Sequence, residues 1–516
     1  MILTNASLKA TLTNCYLYIM ERWLLIILLG LITYFIVKRS VASITNTPVW
    51  LLWLVMMTPA LIWSAWIAVN GQNKPMPTLL MVGPFVLCPL VYWFLIQWGR
   101  RDFSEAKIKE TQGITPTTPL TATEPIIKEE STLRPISKQE ETELRNCFPW
   151  GVYYLQNVEY RPQAVLCRGK LRTNPESAYK TVRENIEAEF GDRFFVVFQE
   201  SLNGTPFFAL VPNPQSQRQE KPVTEPVTRP ILALGLLIIT LFTTTVVGAQ
   251  FAGVTSNQLK ADSSVLLQGL PYAVALMTIL SIHELGHYLA ARHYKVRTTL
   301  PYFLPVPFFL GTFGAFIQMR SPVPNRKALF DVGIAGPLAG FIVTLPLLIW
   351  GLAHSDVVPL SDASRLFNFE SINPRFSFLL TIISKLALGS QFTAQTAIKL
   401  HPVAIAGYIG LVVTALNLIP VGQLDGGHIV HAMFGQRTGA AIGQITRLIV
   451  LVLALLERDL LVWAIILLFM PVADEPALND VSELDNWRDL WGFAALVILA
   501  SIILPAPGAI TGLLNI

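Results

Sequence analysis

An α-helical polytopic membrane protein, with a re-entrant β-hairpin and a small α+β soluble domain, is the fold class that this sequence predicts. Three observations carry that prediction. Of the 516 residues, 52% are hydrophobic and only 14% are charged, against about 25% charged in soluble globular chains. The apolar residues gather into runs near the ~20 residues that span a bilayer. One such run, from about Val265 to Ala291, contains His283-Glu284-Leu285-Gly286-His287. Polar groups of this kind are costly in a bilayer and are rarely found there without a partner or a function.

The net charge of +4 is too small and too dispersed for a nucleic-acid partner. Cys15, Cys88, Cys147 and Cys167 form neither a CxxC pair nor a disulfide framework, so they fit core positions in a reducing compartment. Leu24–Val37 is apolar enough for the core of a signal peptide. Lys38-Arg39 follows it in place of a small-residue cleavage site, as a stop-transfer flank does. The N-terminus also lacks the Ser- and Arg-rich character of an organellar transit peptide, which points to a bacterial chain.

Residues 1–99 hold about three apolar segments, Trp23–Val37, Val49–Val69 and Leu79–Trp98. The first is short for a span and is expected to tilt or lie partly at the interface. Residues 100–137 are rich in Thr, Pro, Lys and Glu with almost no aromatics, the composition of a disordered linker. Residues 138–213 read as a soluble ββαββ domain. Its strands are Val152–Tyr160, Ala164–Leu171, Phe194–Gln199 and Pro206–Val211, the last two around the turn Leu202-Asn203-Gly204. Its helix starts at Asn174-Pro175-Glu176, with Asn as N-cap and Pro at N1, and runs to Phe190 before Gly191. Residues 214–229 form a second polar linker.

Residues 230–475 are expected to form a membrane core, with spans at 230–252, 265–291, 328–352, 401–420 and 440–456 and a short one at 460–471. Residues 476–516 add a polar loop and a last span at 489–505. Between the second and third spans lies 300–326, where five prolines rule out a helix. Non-helical backbone at membrane depth survives only where protein or a water-filled cavity surrounds it. The stretch 308–319 therefore reads as a re-entrant hairpin turning near Gly311 or Gly314. Lys38-Arg39, Arg100-Arg101, Arg229, Arg292–Arg297 and Arg326-Lys327 fall on one side of this zigzag, the cytosolic side by the positive-inside rule. The soluble domain shares that side. His287 and His283 stand about 7.5 and 13.5 Å along the helix from Arg292, nearer the cytosolic edge than the midplane.

The chemistry follows from spacing. His283 and His287 lie one turn apart on one helix face, as two ligands of one metal require, and Glu284 can reach a metal-bound water. A catalytic zinc takes a third protein ligand and leaves the fourth position to water. Among the seven histidines, His354 and His401 fall on the opposite side and His293 belongs to the basic loop. Asp425 is the only acidic residue between Glu370 and Glu457 and ends the 401–420 span at a matching depth. It also suits an N-cap for a helix beginning at Gly426. His428 is the rival third ligand, or a group orienting Asp425.

HELGH in one span, with Asn417-Leu418-Ile419-Pro420 and Leu424-Asp425-Gly426-Gly427 in another, resembles the site-2 protease family of intramembrane zinc metalloproteases. FFLGTFGAFIQMRSP and Ala335-Gly336-Pro337-Leu338-Ala339-Gly340 resemble that family's hairpin and Gly-rich helix. The resemblance covers about 230–475. The N-terminal half resembles the cyanobacterial and chloroplast branch, the ethylene-dependent gravitropism-deficient and yellow-green type. That branch's GNLR motif corresponds to Gly169-Lys170-Leu171-Arg172, with Lys170 where Asn is expected. The resemblance implies one Zn2+ per chain, held by His283, His287 and Asp425, and Glu284 as general base toward zinc-activated water. It further implies Asn417 bonding substrate near the cleaved bond, and transmembrane protein substrates cut in or near their spans within the lipid bilayer. With the bacterial reading, it places the chain in a cyanobacterial plasma or thylakoid membrane. The hairpin edge is expected to pair with an unwound substrate segment, and the 138–213 domain to gate access or recruit a partner on the cytosolic side. Gly336 and Gly340 read as close helix packing only. The alternative functions are a metal-ion transporter and a non-catalytic scaffold of the same fold. A transporter calls for polar groups along several spans, and 230–252 and 328–352 offer mainly Thr and a single Gln.

Overall fold

The computed structural model describes residues 47–70, 136–161, 164–201, 203–213, 216, 229–306, 310–361, 368–456, 460–472, 474–514 and 516, with individual residues between 30 and 98. Nearly all of the 100–137 and 214–229 linkers and most of the Trp23–Val37 and Leu79–Trp98 segments lie outside the described residues. The chain divides into two units, 1–125 and 126–516. In the first, helix α1 (Val49–Asn70) contains no charged residue and continues through Pro59. It exposes Trp50, Leu54 and Val69, the surface a helix presents to lipid rather than to water.

The second unit opens with α2 (Lys138–Asn146), started by a capping box between Ser137 and Glu140. Strands β1 (Tyr153–Arg161) and β2 (Ala164–Leu171), helix α3 (Pro175–Phe190), and strands β3 (Phe194–Glu200) and β4 (Pro206–Pro212) follow. Asn174 caps α3 by accepting from the Glu176 N–H, with Pro175 in the first turn. The sheet is antiparallel in the order β1-β2-β4-β3. β3 alternates buried and half-buried residues, the period of a strand with one face on a core. That core gathers Tyr153, Cys167, Val182, Phe198 and Phe208. A bulge between Leu155 and Asn157 brings β1 so close to Gly169 that a Cβ there would collide with the Tyr154 carbonyl. The glycine of the Gly169–Arg172 motif therefore has a packing reason.

The remainder is helical: α4 (Pro230–Phe251), short α5 (Ser256–Ala261), α6 (Leu270–His293), α7 (Arg326–Ala353), α8 (Phe378–Leu388), α9 (Pro402–Leu418), α10 (Asp425–Phe434), α11 (Gln436–Leu456), α12 (Leu461–Phe469), α13 (Asn486–Ile503) and α14 (Gly508–Leu513). Strands β5 (Tyr302–Pro305) and β6 (Thr312–Phe316) form a hairpin before α7; β7 (Asp356–Pro359) and β8 (Thr396–Lys399) form a second pair flanking α8. Among the described residues, six helical stretches are long and apolar enough to cross a membrane: Val49–Trp66, Pro230–Phe251, Ser263–His293, Arg326–Ala353, Gln436–Ala454 and Asn486–Ile503. This is the architecture of a multi-pass membrane protein. Helices α6, α7 and α9 pack on one another, with Gly286 against the Ala335 backbone and Gly407 against Leu348. Small residues at such crossings are how helices associate where lipid removes the hydrophobic driving force.

Several elements differ from the sequence reading. Helix α8, with 11 residues, and the β7–β8 pair were not anticipated, because a run shorter than about 17 residues falls below the span criterion. The helix expected from Gly426 begins one residue earlier, at Asp425, with Leu424 at the cap position and no side-chain cap bond. Asp425 is therefore not an N-cap, and its carboxylate is free for another task.

Candidate metal centre

Helix α6 begins at Leu270 with Pro271 in its first turn and ends beside Arg292, a cation that suits a helix C-terminus. Lys295, the only described non-glycine residue with positive φ, turns the chain out. Within α6, His283, Glu284 and His287 are all buried. The two imidazoles face each other, with Nε2 atoms 3.2 Å apart. Asp425 Oδ2 approaches His283 Nε2 at 3.6 Å and His287 Nε2 at 3.3 Å. Among the described residues these three are the only His, Cys, Asp or Glu side chains whose donors converge for a metal.

The donor set fits zinc. Tetrahedral coordination at 2.0–2.1 Å places ligand atoms about 3.3 Å apart, close to the three separations here. His287 Nδ1 lies 2.7 Å from the Val332 carbonyl. A carbonyl only accepts, so Nδ1 carries the proton and Nε2 keeps its lone pair for a metal. Gly336 and Gly340 make room for the rings. A Cβ at Gly336 would overlap the His287 imidazole, and one at Gly340 would lie 3.1 Å from His283 Nδ1. The sequence reading saw helix packing in this pair; the structure adds that the packed objects are the two histidine rings.

Asp425 reaches the site because the chain breaks between α9 and α10. Pro420 ends the run, Gly426 packs against the Leu418 carbonyl and Gly427 against the Gly422 carbonyl; any side chain at either glycine would push α10 away. Asn417, on the last turn of α9, places Nδ2 3.1 Å from His283 Nε2. His428 does not join the triad. Its Nδ1 bonds Asp474 Oδ2 at 2.7 Å, so the structure removes it both as the rival third ligand and as a partner of Asp425. His354 and His401 lie together around Trp350, apart from the site.

The hairpin borders this centre. Tyr302 pairs with Phe316, Phe303 with Ala315 and Pro305 with Thr312, and Gly311 and Gly314 both have positive φ. Residues 307–309 lie outside the described set. Thr243 donates to the Gly311 carbonyl at 2.6 Å and Tyr272 to the Leu310 carbonyl at 2.9 Å. Gly311 meets the backbone of Thr243 and Thr244 where a Cβ has no space. Beyond β6, the Ile317 backbone lies close to the Glu284 carboxylate. β6 pairs only with β5 among the described residues. Sequence reasoning missed the acidic partners of α10, Asp474 and Asp480, and the Tyr294–Asp331–Arg488 cluster, in which Arg488 Nη2 lies 2.7 Å from Asp331 Oδ2. These groups are distant in sequence and leave no local pattern.

Bilayer-length helices around two buried histidines and the half-buried Asp425, with the Glu284 carboxylate beside them, define a polytopic membrane protein built around a metal-type site. Residues 271–456 match Peptidase family M50. Similar curated proteins include "Probable zinc metalloprotease EGY2, chloroplastic" of Arabidopsis thaliana, 29% identical over 371 residues, 71% of this chain and 64% of the relative. "Probable zinc metalloprotease EGY1, chloroplastic" of Oryza sativa subsp. japonica is 31% identical over 371 residues, 66% of this chain and 62% of the relative. The Arabidopsis thaliana EGY1 protein is 37% identical over 238 residues, 46% and 43% of the two chains. The matched region is less than two thirds of the length of each of these relatives. No solved structure matches the chain. The chain thus carries a Peptidase family M50 (site-2 protease) match over residues 271–456 and is similar to EGY-type proteins along most of its length. Zinc is the cofactor that the names of these relatives imply.

Proposed function

We propose that this protein is an intramembrane zinc metalloprotease that hydrolyses peptide bonds in or near the transmembrane segments of membrane-anchored substrates. The observation that carries this reading is the convergence of His283, His287 and Asp425 to within 3.2–3.6 Å beside buried Glu284, on a helix long enough to cross a bilayer. One zinc per chain fits these donors, and when bound it supplies Lewis acidity toward water and toward a peptide carbonyl.

The residues of the chain do the rest. The Val332 carbonyl holds the His287 ring in its tautomer. Glu284, next to the first histidine, takes a proton from the attacking water and returns it to the departing amine. Asn417, whose Nδ2 lies 3.1 Å from His283 Nε2, hydrogen-bonds substrate near the cleaved bond. A helical substrate has its carbonyls already bonded and must unwind before attack. The hairpin 302–316, acting as a re-entrant element, offers the free edge of β6 for the unwound segment to add as a strand. Thr243 and Tyr272 hold that hairpin in place.

In this reading the α+β unit is a soluble domain on the cytosolic side of a bacterial membrane, cyanobacterial plasma or thylakoid, where it gates access or recruits a partner; the clustered basic residues support the sidedness. A transporter reading is weaker, because Asp331, the ionisable residue within the third span, is already paired with Arg488. Zinc content and cleavage of a synthetic transmembrane peptide by the purified full chain test the proposal. Asp425→Asn is expected to lose both together; a zinc-loaded wild-type chain that cuts no such peptide contradicts it.

A further inference from the structure

Helix α10 carries Asp425 at one end and is clamped at the other by the segment 474–482. His431 is 1% exposed. Its Nδ1 lies 2.9 Å from Asp474 Oδ2, and its Nε2 lies 2.9 Å and 3.1 Å from the two carboxylate oxygens of Asp480. His428 Nδ1 meets the same Asp474 oxygen, and Gln436 donates to the Asp474 carbonyl at 2.9 Å. Arg326, at the start of α7, donates to the Ala432 carbonyl at 2.7 Å.

The same segment is also an added strand of the α+β unit. The Phe198 N–H donates to the Leu478 carbonyl at 2.7 Å, and the Asp480 N–H donates back to the Phe198 carbonyl at 2.9 Å. Asn479 bridges in parallel to Phe198 on one side and to Asn325 on the other, and Val481 is buried in the α+β core. One short stretch thus extends the exposed edge of β3 with its backbone and grips α10 with its side chains. Asp474 and Asp480 are both buried. If the contact served stability alone, well-packed apolar residues would match or exceed a buried ionic cluster. Charges in defined directions instead fix an orientation. His431 stands six residues from Asp425, about 9 Å along a helix rising 1.5 Å per residue, so a tilt at the clamp moves the carboxylate.

We propose that His431 is a positioning residue for the metal centre, and that docking of the α+β unit on 474–482 sets how firmly Asp425 is presented to the metal. The inference rests on the metal-centre reading above. Residues that couple two sites without touching the ligand typically change the coupling by about 2–30-fold when replaced. Coupling between two sites is also reciprocal, so metal binding must tighten the docking of the α+β unit.

The test uses the purified full chain, Zn2+ as the probe, and no cleavage assay. Zinc affinity is read by competition with a chelator, and the ligand geometry by the visible absorption of the Co2+-substituted protein. Hydrogen exchange is followed over 194–200 and 478–480, with and without Zn2+. His431→Leu and Asp480→Asn are expected to weaken zinc binding about 2–30-fold and to alter the Co2+ bands. Asp480→Glu, which keeps the charge, recovers most of the affinity. In the wild type, zinc slows exchange over 194–200 and 478–480. Wild-type affinity in His431→Leu and Asp480→Asn overturns the proposal, and so does exchange indifferent to zinc. Should the variants fail to fold, the exchange result in the wild type decides alone. A wild-type chain that takes up no zinc overturns the metal centre itself, and the coupling with it.

Discussion

His283 and His287 owe their setting to two glycines on a different helix. With the imidazole of His287 lying where a Gly336 Cβ would stand, Gly336→Ala has to displace the ring or part α6 from α7. Overpacking of this kind costs about 1–3 kcal/mol. The expected outcome is a lower unfolding temperature together with weaker zinc binding, read by thermal melting and chelator competition; unchanged zinc affinity counts against the packing account. The glycine spacing was visible in the sequence, but small residues four apart mark many helix contacts, and nothing in the spacing says what packs on them. Asp425 was legible for a different reason, because an isolated acid at the end of an apolar run is expensive. His431 was not. Its partners stand 43 and 49 residues away, beyond any local pattern.

Helices of bilayer length were the readable elements: α7 and α11 cover the expected runs, α4 ends one residue short of its run at Phe251, and α6 begins five residues late at Leu270. Helix α8 was missed because 11 apolar residues carry no spanning signal. The proline-rich stretch before α7 excluded a helix correctly, yet its strand limits depend on anchors from α4 and α6 that only three dimensions supply. The clamp on α10 makes a prediction at this scale. Burial alone would lower the His431 pKa, but bonds to Asp474 and Asp480 outweigh it and lift it to about 9. Burial would raise the Asp474 carboxyl, but bonds from His428 and His431 bring it to about 2. A raised histidine stabilises the fold fully below its unfolded value and loses that contribution as pH climbs through about 9; a lowered carboxyl stabilises above its unfolded value and loses that as pH falls toward 2. The cluster, with Arg326 facing Asp480, is therefore at full strength in mildly acidic solution. The melting temperature of the full chain is expected to fall from pH 7 to pH 9, with a flatter profile in His431→Gln. Equal slopes in the two proteins contradict this assignment.

At the scale of the whole second unit, the α+β unit is tied to the helical core by a shared strand and by Lys327 reaching Glu176 at 3.5 Å. No reading of either segment alone shows that connection, since 478–480 scans as loop. The site is split in the same way, with its halves on α6 and on the break between α9 and α10. The match to Peptidase family M50 spans both halves, and in the reading proposed here they act together on a peptide bond. The most direct measurement is Glu284→Gln in the purified full chain, with bound zinc determined beside cleavage of a synthetic transmembrane peptide. A general base contributes about 10²–10⁴-fold, so the account predicts that zinc is retained while cleavage falls by at least about 10²-fold. Cleavage at the wild-type rate with zinc in place contradicts it.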